Sequence, residues 1–105
     1  MKNLCKAIKN SKKLLLEKKV AISGSTGGIG RELCFYLAGM GASLILLDRN
    51  EKKAEALKSE LLADFSESTI EFVRADLEDI DSVKVACVRL KNMPLDAIIL
   101  NAGAY

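Results

Sequence analysis

The sequence lacks the residues that most often build metal centres and nucleophilic catalytic sites. Its 105 residues include no histidine and no tryptophan, and its three cysteines, Cys5, Cys34 and Cys87, form no Cys-x-x-Cys pair. The absence of histidine excludes Ser-His-Asp and Cys-His mechanisms, and the wide cysteine spacing does not suit a metal site. Cys34 and Cys87 are expected on apolar helix faces, as inert buried thiols.

Long hydrophobic runs and aromatic residues are also scarce. The longest apolar run in the first 19 residues is Leu14-Leu15-Leu16, far short of a signal-peptide core or of the roughly 20 residues that span a bilayer. We therefore expect a cytoplasmic protein. Aromatic residues make up 5% of the chain, and no basic surface interleaved with aromatics is indicated, so no nucleic-acid partner is expected.

Charge is divided unevenly along the chain. The net charge is +2, but residues 1–19 carry +6 and residues 20–105 carry −4. Leu4, Ile8 and Leu15 stand at near-helical spacing in this lysine-rich leader, residues 1–18. The pattern favours a solvated amphipathic helix or a frayed tail over contact with an anionic membrane surface.

Glycine is concentrated in one stretch, "SGSTGGIGRELC", residues 23–34. The strand-like run Val20-Ala21-Ile22 precedes it, and a helical pattern follows at Ile29, Leu33, Leu37 and Met40. Because glycine costs about 0.5–1 kcal/mol in an element interior, such a cluster indicates a tight turn or a close approach. A strand, a glycine turn and a helix N-terminus place free N–H groups where they suit a phosphate.

Strand and helix patterns alternate along the rest of the chain. Strands are predicted at about 19–24, 43–47, 69–75 and 95–103, and helices at about 28–40, within 48–65 and at about 79–92. Asp48 or Asn50 is expected to cap the second helix. Ala54, Leu57, Leu61 and Phe65 mark its inner face, and Ile80, Val83, Cys87 and Leu90 that of the third. This order predicts an α/β fold with right-handed crossovers onto a parallel sheet.

Each strand ends in a feature that suits ligand binding. These are the glycine turn, Asp48-Arg49, Asp76-Leu77 and Asn101-Ala102-Gly103. Ligands of doubly wound sheets bind beyond the carboxyl ends of the strands, so the four features are expected at one edge.

The pattern Gly-x-x-x-Gly-x-Gly, here Gly24, Gly28 and Gly30, resembles the N-terminal part of the short-chain dehydrogenase/reductase family over residues 18–105. Ser23 stands where that family usually has threonine. "DL" at 76–77 resembles the pair beside the adenine ring, and "NAG" at 101–103 the family's strand end. The resemblance implies a partial Rossmann fold, a four-stranded parallel sheet of order 3-2-1-4, with residues 19–105 as an NAD(P)-binding half-domain.

The resemblance also implies roles for residues of the glycine turn. Gly24 would permit the turn, Gly28 the approach of the pyrophosphate and Gly30 the packing of helix on strand, while Thr26 would hydrogen-bond a phosphate or ribose oxygen. The complete set implied for cofactor binding is Gly24, Ser25, Thr26, Gly27, Gly28, Ile29, Gly30, Asp48, Arg49, Asp76, Leu77, Asn101, Ala102 and Gly103.

Asp48 favours NAD over NADP, because a carboxylate eighteen residues after Gly30 accepts hydrogen bonds from a ribose 2′-hydroxyl and repels a 2′-phosphate. Gly27 agrees, since NADP-using members often have a basic residue there. Arg49 is the opposing feature, because a guanidinium can hold a 2′-phosphate. NADP therefore stays open as an alternative.

The activity implied is hydride transfer between nicotinamide and a small alcohol or carbonyl substrate. The family performs it with a Tyr-x-x-x-Lys pair, which lowers the pKa of the phenol. Here Tyr36 is followed four residues later by Met40, and Tyr105 is the last residue. The 105-residue chain is therefore expected to be inactive alone, and to self-associate through the apolar edge of its last strand. A non-catalytic nucleotide-binding or interaction module is the alternative.

Overall fold

The computed structural model describes residues 14–76, 78–99 and 101. Four strands alternate with three helices along this part of the chain. The strands are β1 (Lys19–Ser23), β2 (Ser43–Asp48), β3 (Ile70–Arg74) and β4 (Ala97–Ile99), and the helices are α1 (Gly28–Gly39), α2 (Glu51–Asp64) and α3 (Ile80–Lys91). Most of the lysine-rich leader, together with Leu77, Ala102 and Gly103, lies outside the described residues.

The four strands form one parallel sheet in the order β3-β2-β1-β4. Val20 on β1 lies opposite Leu44 on β2 and Ala97 on β4. This arrangement confirms the predicted fold class and strand order. Because all strands run the same way, the carboxyl ends of β1, β2, β3 and β4 lie at one edge of the sheet.

Both faces of the sheet contribute to the core. Ile22 and Leu46 lie on the face covered by α1 and α2, whereas Ala21, Ile45 and Val73 lie on the face covered by α3. Residues 44–47 of β2 are all buried, as a continuous apolar run in a parallel sheet requires. The two central strands, β1 and β2, are therefore packed on both faces, which fixes the position of their carboxyl ends.

Helix α2 follows its predicted pattern. Ala54, Leu57 and Leu61 are buried, which confirms the expected inner face. The Asn50 side chain accepts a hydrogen bond from the Lys53 N–H at 3.0 Å and so caps the helix. Asp48 lies before the cap and is left available for other contacts.

Helix α3 follows its predicted inner face only in part, since Leu90 packs against the core and Val83 is half-buried. Ser82 and Ala86 are buried, while Ile80 and Cys87 are exposed, so the prediction was wrong for these two. Ser82 faces inward because its Oγ accepts the Asp76 N–H at 3.0 Å. Ala86, one turn later on the same side of the helix, packs against the sheet together with Leu90.

Ile29, in the first turn of α1, also departs from its predicted pattern and is 69% exposed. The buried residues of α1 are instead Gly30, Cys34, Phe35, Ala38 and Gly39. In the described ranges, no helix is both long enough and apolar enough to cross a bilayer.

We expect Cys34 and Cys87 to differ sharply in reactivity. Burial raises the pKa of the Cys34 thiol from 9.0 to about 12, against a smaller opposing effect of Arg31, which lowers its thiolate fraction at pH 8 about a thousandfold. Peptide mass spectrometry after iodoacetamide treatment at pH 8 should find Cys87 alkylated and Cys34 modified only in denaturant. The Cys34 thiol has a lower pKa in the unfolded chain than in the folded one. The free energy of unfolding should therefore also fall as pH rises above about 9. Rapid native alkylation of Cys34 would contradict its burial.

Candidate functional site

The glycine turn begins with a backbone conformation that favours glycine. Gly24 has φ 63°, in the left-handed region where a Cβ is strained. Its N–H donates to the Leu47 carbonyl at 3.1 Å, and its own carbonyl accepts from the Gly27 N–H at 3.2 Å. These bonds fix the turn against the carboxyl end of β2.

Gly30 lies where the first turn of α1 meets the start of the glycine turn. A Cβ at this position would be 2.1 Å from the Gly24 carbonyl oxygen and 2.7 Å from Asn101 Nδ2. No side chain fits there without displacing backbone. Helix α1 and the glycine turn are therefore in direct contact at Gly24 and Gly30.

Gly28 lies in open space at the same turn. A Cβ at Gly28 would meet no atom within 4 Å, and no side chain caps α1 at Gly27. The first N–H groups of a helix have no partner within the helix and carry its positive dipole end. This surface is accordingly suited to an anion such as a pyrophosphate.

The Asp48 carboxylate lies beside the glycine turn and is bonded to it. Its Oδ2 accepts from the Thr26 Oγ–H at 2.7 Å and from the Thr26 N–H at 3.2 Å, and its Oδ1 accepts from the Asn50 N–H at 3.0 Å. The side chains of Thr26 and Asp48 are part-buried. A fixed negative charge thus lies next to the anion-binding surface.

Ser23 joins the last strand end to the turn. Its Oγ, buried at the end of β1, accepts the Asn101 N–H at 2.9 Å. Ser23 was not in the predicted set, although its place before Gly24, where the family usually has threonine, was a usable signal. Asn101 is thereby held against Gly30, so that β1, β4 and α1 meet at one point.

Ser25 is fully buried beneath the turn. Among the described residues its Oγ has no hydrogen-bond partner. A buried hydroxyl of this kind is rare and costs free energy unless a partner is supplied. Nothing in the amino-acid pattern distinguished it from its exposed neighbours Gly27 and Gly28.

Arg49 and Asp76 follow the carboxyl ends of β2 and β3. The Asp76 Oδ1 accepts the Glu78 N–H at 3.0 Å, and Arg49 is exposed. Within the part of the chain that the structure describes, neither hydrogen-bonds to the glycine turn. The structure therefore joins the turn, Asp48 and Asn101 by direct contacts, whereas Asp76 and Arg49 make no such contact among the described residues.

The combined surface fits a dinucleotide in two respects. Uncapped N–H groups beside Gly28 suit a phosphate, and the Asp48 carboxylate next to them suits a hydroxyl-bearing sugar. A separate concave surface of about 280 Å³ lies at the amino ends of the strands, against the last turns of α1 and α2. It contains none of the predicted site residues.

Comparison with known proteins gives one family. The profile of the family described as short chain dehydrogenase matches residues 18–105. The chain is 37% identical over 94 residues to the short chain dehydrogenase resG of Aspergillus sclerotiorum, and the match covers 87% of this chain and 26% of that protein. The chain therefore spans about a quarter of the length of this relative.

Solved structures agree with the fold. A short chain dehydrogenase from Shigella flexneri 2a, complexed with NADP, superposes with a TM-score of 0.77 at 30% identity, over 89% of this chain and 40% of that one. One from Escherichia coli CFT073, complexed with NADPH, gives 0.74 at 32% identity over 89% and 40%. The chain thus covers two fifths of each of these structures.

Proposed function

The chain belongs to the short-chain dehydrogenase family, and from this premise we propose that it forms the dinucleotide-binding part of an NAD(P)-dependent oxidoreductase. The observation that carries the proposal is the junction of the open Gly28 surface with the Asp48 carboxylate, two features that suit a phosphate and a ribose. The parent reaction is proposed to be hydride transfer between nicotinamide and a small alcohol or carbonyl compound.

Roles within the site follow from the contacts. The N–H groups at the start of α1 would hold the pyrophosphate at Gly28, and Asp48 would accept from an adenosine ribose hydroxyl. Gly24 and Gly30 would hold the turn in shape, while Ser23 and Asn101 would fix β4 beside it. Leu77, Ala102 and Gly103 keep their proposed places in the site through the family resemblance. Bound nicotinamide cofactor would supply the hydride carrier.

We propose that the chain prefers NAD. The Asp48 charge is fixed beside the turn, and a phosphate brought near it would be repelled. The Shigella flexneri and Escherichia coli relatives were solved with NADP and NADPH, the oxidised and reduced forms of the 2′-phosphorylated cofactor, so the preference proposed for this chain rests on Asp48 and not on these relatives. Arg49 is the exposed group that would favour NADP.

Catalysis is proposed to need residues that this sequence does not contain. It has no Tyr-x-x-x-Lys pair, so we propose that the 105-residue chain binds nucleotide without transferring hydride.

The wider setting is proposed as follows. Residues 19–105 form the cofactor-binding half-domain and residues 1–18 a basic leader, a division supported by the family match that begins at residue 18; for the leader, solvent is favoured over contact with a membrane surface. Cys34 and Cys87 are free thiols, which suits the reducing cytoplasm. Copies of the chain are proposed to associate through β4, where Ile98 is 51% exposed.

Calorimetric titration of the chain with NAD and with NADP tests the proposed binding. We expect NAD to bind at least tenfold more tightly, because like charges brought together cost several kcal/mol. Asp48→Asn should remove most of this difference by strengthening NADP binding. Glu55→Gln on the exposed surface of α2 makes the same charge change elsewhere and should leave the ratio unaltered.

Two outcomes would contradict the assignment. Failure of the folded chain to bind either nucleotide would exclude the dinucleotide site. Equal or tighter binding of NADP to the unmodified chain would instead exclude Asp48 as the residue that selects the cofactor.

A further inference from the structure

The contact between Thr26 and Asp48 uses every donor that Thr26 has. Its hydroxyl proton and its backbone N–H both go to Asp48 Oδ2, at 2.7 and 3.2 Å. A threonine hydroxyl carries one proton and two lone pairs. With the proton donated, the Thr26 oxygen presents only acceptor positions to whatever binds beside it.

The Asp48 carboxylate is held from two sides by this contact. Thr26 fixes Oδ2, and the Asn50 N–H fixes Oδ1 at 3.0 Å. A carboxylate offers about four acceptor positions, of which these three bonds use three. Rotation of the carboxylate would break bonds at both oxygens, so its charge and its remaining lone pair stay in one place.

The pair therefore forms a surface of acceptors with no free donor. A ribose hydroxyl can donate to such a surface, whereas a 2′-phosphate brings negative charge and acceptor oxygens, and this pair offers it no proton and no freedom for the carboxylate to turn away. We propose that Thr26 is a specificity-determining positioning residue, which fixes Asp48 so that the site selects an unphosphorylated ribose. This inference rests on the proposed dinucleotide function.

The inference differs from the role expected for Thr26 as a donor to a phosphate or ribose oxygen. In the structure that proton is already donated to Asp48. Thr26 accordingly acts through the carboxylate, and its removal should change the discrimination between two nucleotides more than the binding of both.

The experiment compares adenosine 5′-monophosphate with adenosine 2′,5′-bisphosphate, which differ only at the 2′ position. Dissociation constants are measured by NMR titration for the unmodified chain, Thr26→Val, Thr26→Ser and Asp48→Asn. Thr26→Val removes the hydroxyl at nearly constant shape, and Thr26→Ser restores it. We expect the preference for the monophosphate to fall about fivefold in Thr26→Val and to be retained in Thr26→Ser.

The double variant Thr26→Val with Asp48→Asn shows whether Thr26 acts through the carboxylate. In the Asp48→Asn background the valine substitution should leave the ratio of the two dissociation constants unchanged. If Thr26 had only a structural role, Thr26→Val would weaken the binding of both nucleotides to the same extent, with Asp48 present or replaced. If Thr26→Val does not fold, Thr26→Ala replaces it in the same comparison.

The outcomes separate this inference from the function on which it rests. The role of Thr26 is overturned, while the binding site stands, by either of two results. One is that Thr26→Val leaves the ratio of the two dissociation constants unchanged. The other is that the valine substitution changes this ratio equally with and without Asp48→Asn. Failure of the unmodified, folded chain to bind either nucleotide overturns both.

Discussion

Gly30→Ala is expected to lower the free energy of unfolding by about 3 kcal/mol, at the upper end of the usual cost of overpacking. The added methyl would lie 2.1 Å from the Gly24 carbonyl oxygen, a backbone atom that is fixed by the turn. Relief requires α1 to move away from the turn, and the methyl would also lie 2.7 Å from Asn101 Nδ2, so that side chain must shift as well. The melting temperature should fall by roughly 15 °C.

Gly28→Ala is the matched control, because it adds the same methyl group two residues earlier. A Cβ at Gly28 meets no atom within 4 Å, so the free energy of unfolding should change by less than about 0.5 kcal/mol. If the pyrophosphate approaches this surface, the same substitution should weaken NAD binding severalfold. The two glycines would then have different roles, Gly30 in the packing of the helix and Gly28 in ligand binding.

Thermal unfolding followed by circular dichroism measures both variants, and calorimetric titration measures the binding of NAD to Gly28→Ala. Equal stability of the two variants would contradict the close packing of α1 on the turn. Unchanged NAD affinity in a folded Gly28→Ala protein would remove Gly28 from the binding surface.

The glycine turn shows how much of the site the sequence could predict. The family resemblance carried by the glycine pattern implied the structural roles of Gly24 in the turn and of Gly30 in helix packing. The bond between Thr26 and Asp48 joins residues 22 positions apart and depends on the rotamers of two side chains. No spacing rule encodes such a contact, and the same holds for the buried hydroxyl of Ser25.

The helices show the same limit in the fold. The type and order of the elements follow from hydrophobic pattern and turn residues, and α2 has a single apolar stripe that fixed its inner face. Helix α3 has apolar residues on more than one side, including Val85 and Val88, both exposed. The side that faces the sheet includes Ser82, whose Oγ accepts the Asp76 N–H, and hydrophobic periodicity does not register such a polar contact.

The composition of β4 has a further consequence for association. The strand consists of Ala97, Ile98 and Ile99, and among the described residues it pairs only with β1. An apolar edge strand with unpaired N–H and C=O groups is a template for another strand, and natural edges are commonly protected by lysine. The proposed association of copies of this chain should therefore depend on this edge.

Ile98→Lys is expected to shift association to at least tenfold higher protein concentration, because it places a charge on the exposed side of the edge strand. Analytical ultracentrifugation over a range of concentrations measures the shift. Val88→Lys is the control, since it adds the same charge at an exposed position of α3, away from the strand edge. An equal effect of both substitutions would indicate that general repulsion or the α3 surface governs association. A monomer at high micromolar concentration in the unmodified chain would exclude association altogether, and would mean that a three-residue edge is too short to recruit a second copy.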